Sequence, residues 1–440
     1  MNLVPSSDFN TSFVKRFQEW EQQLNGQRQT AWHQIRKKAI ELVADYTIPT
    51  TKNEEWKYTN LNKIFKQDFV FEVENQSIDK NTLTKTPLFE LDTYKIVLLN
   101  GEARLDLSDL PQNPKIFIST LTEAYKIYPN WVEKYFAQVP DWEKELFTAL
   151  NTAFAQKGLF ILAEKNANLD KPILLQHITD ATIQNVGSQP RHLLIFETGS
   201  NISLIENYVT LGENYSFVNG VSEIFVMPNA HIQHYKVQHE TEKAFQILTT
   251  QVKQEKDSFY ENITLSLKGG LMRNNLNIRL TGTNVASNMF GLYMIDGKSH
   301  VDNHTIADHL APHSLSNELY KGILDENATG VFNGKIYVRQ DAQKTNAYQQ
   351  NRNVLLSDTA SVNTKPQLEI WADDVKCSHG ATTGKLDENA LFYLRARGIK
   401  EKSAKALLVQ AFGNEIIEKI NFEPLKEYFT TLLAERLGVE

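Results

Sequence analysis

The sequence predicts a mainly β protein with α-helical ends: a β core over residues 158–385, a helical region with a few short strands over 1–157, and a second helical region over 386–440. Three observations predict it. Apolar residues recur at helical spacing near both ends. Between them the chain breaks into many short alternating strands. The strand-rich part also carries a weak internal repeat, which favours a solenoid over a sandwich or a propeller.

At the start, Asp8 to Leu24 and Arg28 to Tyr46 place Phe9, Phe13 and Phe17, then Trp32, Ile35, Ile40 and Val43, on helical faces. Pro49 ends the second helix. Asn53 to Leu61 (NEEWKYTNL) reads as an exposed polar and aromatic segment. Residues 94–120 suggest short strands, clearest in IVLLNGEARLDL, and a helix over Asp141 to Gln156 is closed by Gly158.

After Gly158 the texture changes. Ile202 and Leu204, Ile263, Leu265 and Leu267, Leu276, Ile278 and Leu280, Ile336 and Val338, and Leu368 and Ile370 all alternate as strands do. Asn- and Gly-rich breaks separate them, and only three prolines fall between Ile173 and Lys365. Residues 326–338, 341–356 and 358–372 share a layout: an acidic residue, a nearby alanine, polar residues, then an apolar strand. The alanines Ala328, Ala342 and Ala360 lie 14 and 18 residues apart, so the spacing is uneven. In a solenoid no rung buries its apolar face alone; stacked rungs share one core and need caps.

Helices return at the end. Asp387 caps a helix through Leu391 and Leu394 that stops at Gly398. Glu401 to Ile420 forms the next, with Ala404, Leu407, Leu408, Ala411, Phe412 and Ile416 as its apolar face. Pro424 suits the first turn of a third, which ends near Gly438.

The bulk numbers exclude several classes. A net charge of −7 over 440 residues, without a basic stripe, argues against nucleic acid as a main partner. The first residues lack the basic start and apolar stretch of a secretory signal, and no run of eighteen apolar residues exists. The single cysteine, Cys377, permits no intrachain disulfide and fits a reducing compartment. A cytoplasmic protein without a membrane span is the expectation.

Candidate chemistry is sparse. Gly291 to Ser299 imitates a phosphate-binding loop but has five residues between its glycines instead of four, and it lacks the strand–loop–helix setting. No nucleotide is expected on this chain. His300, Asp302, His304, His309 and His313 fall within fourteen residues, and imidazole with carboxylate suits iron or zinc. They span a strand–turn junction near Pro312, however, so polar and turn roles weigh more than metal binding. His231, Gln233 and Tyr235 alternate along one face of a strand.

The last candidate is DDVKCSHG, Asp373 to Gly380. In an extended strand, side chains two apart share a face, about 6.5–7 Å from each other, which groups Asp373, Val375, Cys377 and His379. Such a thiol and imidazole suit a metal, sulfur or cluster site. A lone cysteine is as often a small buried hydrophobe, and the residues alone leave both readings open. One limit is firm: iron–sulfur clusters want four strong ligands, mostly thiolates, and this chain has one cysteine. Any cluster must borrow ligands from a partner.

Several segments carry a resemblance: VDNHT (301–305), HLAPHS (309–314), NELYKGILDENATGVFNGKIYV (317–338), QKTNAYQQNRNVLLS (343–357), TKPQLEIWADDVKCSHGATTGKLDENALFYLRARGI (364–399) and, upstream, ALNTAFAQKGLFI (149–161). With these the chain resembles the SufB/SufD family of iron–sulfur cluster assembly scaffold proteins, on its SufD side. The resemblance implies a right-handed parallel β-helix with helical regions at both ends. It implies pairing with SufB through the β-helix and with the SufC ATPase through the C-terminal helices, roughly Asp387 to Val439. Leu391, Leu407, Leu408 and Phe412 are the expected contact residues there. His379 matches the family histidine that faces SufB, where a transient iron–sulfur cluster is shared, with Cys377 beside it. His379 is thus the metal-ligand candidate. Reduced flavin is implied only for the whole complex.

The expectation is therefore a non-catalytic scaffold subunit that helps build and deliver nascent clusters, with a part in iron entry open to it, with ATPase activity supplied by SufC and a homodimer as the state open to the isolated chain. The alternatives are a β-helix metal-binding protein using the 300–313 histidines and a carbohydrate-active β-helix enzyme.

Overall fold

The computed structural model describes residues 9–24, 29–73, 77–138 and 141–438. Asp8, Arg28 and Val439, which bounded expected segments, lie outside them. The N-terminal region holds helices α1 (Phe9–Gln22), α2 (Ala31–Asp45), α3 (Asn62–Phe65) and α4 (Lys80–Thr84), then strands β1 (Tyr94–Leu99), β2 (Glu102–Asp109) and β3 (Ile116–Thr120), then α5 (Leu121–Ile127), α6 (Pro129–Tyr135) and α7 (Leu146–Ala153). The helix expected over Asp141 to Gln156 is shorter, because the Glu145 carboxylate caps it by accepting from the backbone N–H groups of Phe147 and Thr148.

From residue 159 the strands follow one another: β4 (Leu159–Ala163), β5 (Ile173–Asp180), β6 (Val186–Ser188), β7 (Arg191–Phe196), β8 (Asn201–Leu211), β9 (Ser216–Val226), β10 (His231–His239) and β11 (Ala244–Gln254). They continue as β12 (Phe259–Lys268), β13 (Leu271–Leu280), β14 (Ala286–Ile295), β15 (His300–His309), β16 (Leu315–Leu324), β17 (Thr329–Val338), β18 (Asn346–Leu355), β19 (Ser361–Ile370) and β20 (Lys376–Gly384). Alternate strands fall into two sheets. One runs β2-β1-β5-β8-β10-β12-β14-β16-β18-β20 and the other β19-β17-β15-β13-β11-β9-β7-β4-β3. From β5 and β7 onward every neighbour is parallel and nearly every register is unbroken. This is a parallel β-solenoid.

Parallel strands need both faces covered, and the sequence supplies the cover. The interior carries Ile96, Ile161, Ile202, Ile232, Tyr260, Met289, Phe332 and Ile336 in one contiguous core. The outer face of the second sheet packs Phe217, Phe245, Ile247 and Leu271 against Phe13, Phe17, Ile40 and Val43 of the N-terminal helices. The outer face of the first sheet packs Tyr235, Ile263, Phe290 and Ile323 against the C-terminal helices α9 (Glu401–Ile417) and α10 (Glu423–Leu437), whereas α8 (Glu388–Ala396) before them buries no residue. The Asn-rich breaks are the corners, where Asn166, Asn229, Asp257, Asn284, His313 and Lys344 all take positive φ, the conformation Asn and Asp tolerate best among residues with a side chain.

The two ends of the solenoid differ. At the N-terminal end, β1 pairs antiparallel with β2 and β3 antiparallel with β4, so both sheets close on antiparallel strands. At the other end, β19 bonds only to β17 and β20 only to β18 among the described residues.

Two expectations need correcting. Asn53 to Leu61 is exposed only on one side: Asn53, Glu54, Glu55, Lys57, Tyr58 and Asn60 are exposed as expected, but Trp56, Thr59 and Leu61 are buried, because the chain there lies across the outer face of the solenoid. The apolar face of α9 is also turned. Ala404 and Ile416 are buried as expected, but the rest of the buried ridge is Ala406, Val409, Gly413 and Ile417, whereas Leu407 and Ala411 are exposed and the helix ends at Ile417. Apolar residues occupy most of this helix's circumference, so periodicity alone did not choose the side.

Candidate functional site at the open end of the solenoid

In a parallel in-register sheet, paired residues point to the same side, about 4.8 Å apart. This places the two candidates at the ends of two interior columns. Cys377 ends the column Ile202, Ile232, Tyr260, Ser287, Ser316, Ala347. His379 ends the neighbouring column Leu204, His234, Asn262, Met289, Glu318, Gln349. Both stand on β20, over the mouth of the solenoid. Cys377 is half-buried and packs on the interior core together with Val375, while His379 is exposed. Burial pushes the Cys377 thiol up from its ordinary value, partly opposed by a backbone hydrogen bond with Ala347. It is therefore mostly protonated near neutrality, and needs a metal or a base to become a thiolate.

The expected four-residue face is shorter than alternation suggested. Strand β20 begins at Lys376, and Asp373 and Asp374 lie in the bend before it. Asp374 is committed to that bend: it pairs with Lys344, its carbonyl accepts from the Lys344 N–H at 2.7 Å, and its N–H donates to Gln343 Oε1 at 2.9 Å. Asp373 is thus not a partner of the pair by strand alternation.

The 300–313 histidines do not converge. His300, Asp302 and His304 alternate on the outer face of β15, beneath the 53–61 segment. Thr59 Oγ1 donates to Asp302 Oδ2 at 2.6 Å and lies 2.9 Å from His300 Nε2. Arg273 Nη1 donates to the same Asp302 oxygen at 2.8 Å, and His304 Nε2 stands 2.9 Å from Asp302 Oδ1. His309 points into the interior, 2.7 and 2.9 Å from Ser314 and Ser316 hydroxyls, and burial depresses it to about 4. His313 sits at an exposed corner with positive φ. Among the described residues no group of three or more His, Cys, Asp and Glu is placed to hold a metal ion. His231, Gln233 and Tyr235 do share the outer face of β10, with Tyr235 covered by the C-terminal helices.

On the C-terminal helices, Leu391, Leu408 and Phe412 are half-buried and Leu407 is 38% exposed. The largest exposed apolar groups are Phe392 at 74% and Tyr393 at 58%, which sequence reading passed over. Their signal is in the sequence: FY falls between the half-buried Leu391 and Leu394 of this helix.

The fold and this placement define a β-solenoid protein whose candidate chemistry lies on an unpaired edge and not in a pocket. Comparisons with known proteins give the family. The model of the SufBD core domain of the SUF system for FeS cluster assembly matches residues 177–412, and that of the SufBD N-terminal region matches 7–175. An iron–sulfur cluster assembly SufBD family protein of Synechocystis sp. is 34% identical over 89% of this chain and 88% of its own. The iron–sulfur cluster assembly protein SufD of Escherichia coli is 32% identical over 89% of both chains, and that of Bacillus subtilis 25% identical over 99% of this chain and all of its own. The chain belongs to the SufB/SufD family of iron–sulfur cluster assembly proteins. No helix among the described residues is long and apolar enough to cross a membrane.

Proposed function

We propose that this chain is the non-ATPase scaffold subunit of a cytoplasmic assembly, pairing through the open end of its solenoid with a SufB chain and through its C-terminal helices with the SufC ATPase. The observation that carries the reading is the position of His379: exposed, at the last rung, beside the chain's one cysteine, on an edge whose backbone groups lack a second strand. An unpaired edge is a template for another chain. A His–Cys pair there supplies part of a cluster's ligand set, and the partner supplies the rest. The iron–sulfur cluster is cargo, assembled at the junction and passed on. Nucleotide binding to the ATPase moves the C-terminal helices and rearranges the junction; reduced flavin acts at the level of the complex.

The test is co-purification of this chain with SufB and SufC, followed by cluster reconstitution. His379→Ala lowers cluster yield about tenfold or more while the complex still forms. Unchanged yield in that variant would sink the assignment. Accessibility of the Cys377 thiol, measured in the free chain and in the complex, separates a participating thiol, which becomes protected, from a packing one, which does not change.

A further inference from the structure

Behind His379 lies a feature that the ligand role does not use. Glu318, Gln349 and His379 occupy successive rungs of one interior column. Gln349 is fully buried, and its amide Nε2 donates to Glu318 Oε2 at 2.7 Å. Its carbonyl Oε1 is buried and has no hydrogen-bond partner. An unpartnered buried acceptor is costly, and this one stands one rung below an imidazole at the open end. Gly334, on β17, makes the room: a Cβ there would lie 2.4 Å from the Gln349 Nε2. The amide is therefore seated against a backbone position that admits no side chain.

An ionised carboxylate only accepts hydrogen bonds. While Glu318 is charged, Gln349 must turn its NH₂ group toward Glu318 and its oxygen away. A protonated Glu318 can donate instead, which lets the amide turn over and present NH₂ to the next rung. We propose that Gln349 is a positioning residue for His379: its carbonyl oxygen, unpartnered in this structure, is the acceptor that a ring N–H of His379 on the next rung takes up, and the protonation of Glu318 decides which face of the amide, and so which imidazole tautomer, is held at the open end. The proton that charges or discharges Glu318 exchanges with solvent; no bond other than O–H is made or broken.

The surroundings leave Glu318 as the group able to switch. Burial pushes its carboxyl up to about 7, against the pull of Gln349 and Thr305. The other titratable groups facing it from the interior of these rungs are Tyr320 and Tyr293, both raised far above neutrality by burial, Cys377, whose thiol burial also raises, and His309, held neutral by burial. Near neutral pH only Glu318 among them changes charge.

The consequence for cluster assembly rests on the reading given under Proposed function, but the test does not. The full-length chain is labelled with ¹⁵N in its histidine rings, and His379→Asn identifies the His379 signals. Expected in the unmodified chain is a His379 ring whose nitrogen shifts report one dominant tautomer and follow a second inflection near pH 7. Glu318→Gln keeps the shape and removes that inflection, and Gln349→Leu removes it and mixes the tautomers. Identical ring shifts and titrations in all three chains would overturn the proposal, and Glu318→Gln still decides it if Gln349→Leu does not fold. Should His379→Ala leave cluster yield unchanged while the ring titrations differ as described, the cluster role fails and the coupling stands.

Discussion

The guanidinium of Arg273 lies 3.8 Å over the ring of Trp56. The contact joins two residues far apart in sequence and fixes the 53–61 segment to the outer face of the solenoid. Arg273 is held in turn: its Nη1 donates to the Glu55 carbonyl at 2.7 Å and to Asp302 at 2.8 Å. Trp56→Ala removes a buried indole and its cation–π contact, at a cost of about 3 kcal/mol. The loss is local. Hydrogen exchange is expected to accelerate over residues 54–61 and at His300 to His304, with the strands on the far side unchanged; undiminished protection of 54–61 would show that the segment is held by other contacts.

The same segment makes the fold acid-sensitive. Glu55 is lowered from 4.5 to about 2 by its hydrogen bonds with His304 and Lys335, outweighing the opposite effect of burial. Asp302 is likewise held well below the usual carboxylate range, despite burial, by His304 and Arg273. A carboxylate with a depressed folded-state pKa stabilises the fold above its unfolded value and loses that contribution as pH falls through the folded one. The docked segment is therefore fully held above about pH 4.5 and released toward about pH 2. Tryptophan fluorescence or limited proteolysis across that window measures the release, and Glu55→Gln weakens the holding at pH 6 while flattening the acid dependence.

Gly158 stands where the helical region enters β4 of the second sheet. Its φ is +130°, and an added Cβ would lie 2.0 Å from the Arg191 carbonyl oxygen. Arg191 cannot yield: it is fully buried, paired with Glu223, and donates to Asn151 and Thr152. Gly158→Ala is expected to destabilise the chain by more than about 3 kcal/mol, read as loss of soluble protein or a fall in the urea midpoint. A midpoint equal to that of the unmodified chain would contradict the close approach.

Glu318 gives a pH effect of the opposite sign. Its folded-state carboxyl is raised to about 7 by burial, so the native chain keeps a proton that the unfolded chain sheds from about 4.5 upward. Stability contributed by this site falls as pH rises through that interval. Glu318→Gln keeps a partner for Gln349 and carries no such cost. It should stabilise the chain at pH 8 by up to about 3 kcal/mol and make little difference at pH 4, as urea titrations at the two values would show.

Much of this was legible in the sequence because strand alternation and helix periodicity are local. The short strands, their Asn-rich corners, the Asp387 cap and the Gly398 and Gly438 stops all follow from neighbouring residues. The uneven alanine spacing has a structural cause: Ala328 and Ala360 precede β17 and β19 of one sheet, one full coil apart, while Ala342 precedes β18 at the opposite corner. What could not be read is set by pairing between distant strands. Nothing local in NELYKG marks Glu318 as interior, or relates it to Gln349 and His379. Nor does NEEWKYTNL announce a partner more than two hundred residues away in Arg273, and so nothing local sets the buried Trp56 apart from the exposed Glu54, Glu55 and Tyr58 beside it.

The C-terminal helices separate packed residues from exposed ones position by position. Val409 and Ile416 are buried against the solenoid, whereas Phe392, Tyr393 and Leu407 leave 74%, 58% and 38% of their surface exposed. An exposed apolar cluster of this kind costs nothing to replace in the isolated chain, since surface changes away from packed features stay within about 0.5 kcal/mol. Phe392→Asp with Leu407→Asp should leave the urea midpoint of the free chain unmoved. If these residues meet the ATPase subunit, the same pair buries two unpaired carboxylates and co-elution with SufC is lost, while the proposed pairing with SufB at the open end is untouched. Val409→Asp is the contrast: it puts a charge into the packed face and lowers the midpoint of the free chain itself. Retained co-elution of the Phe392 and Leu407 double variant would move the ATPase contact to another face of the molecule.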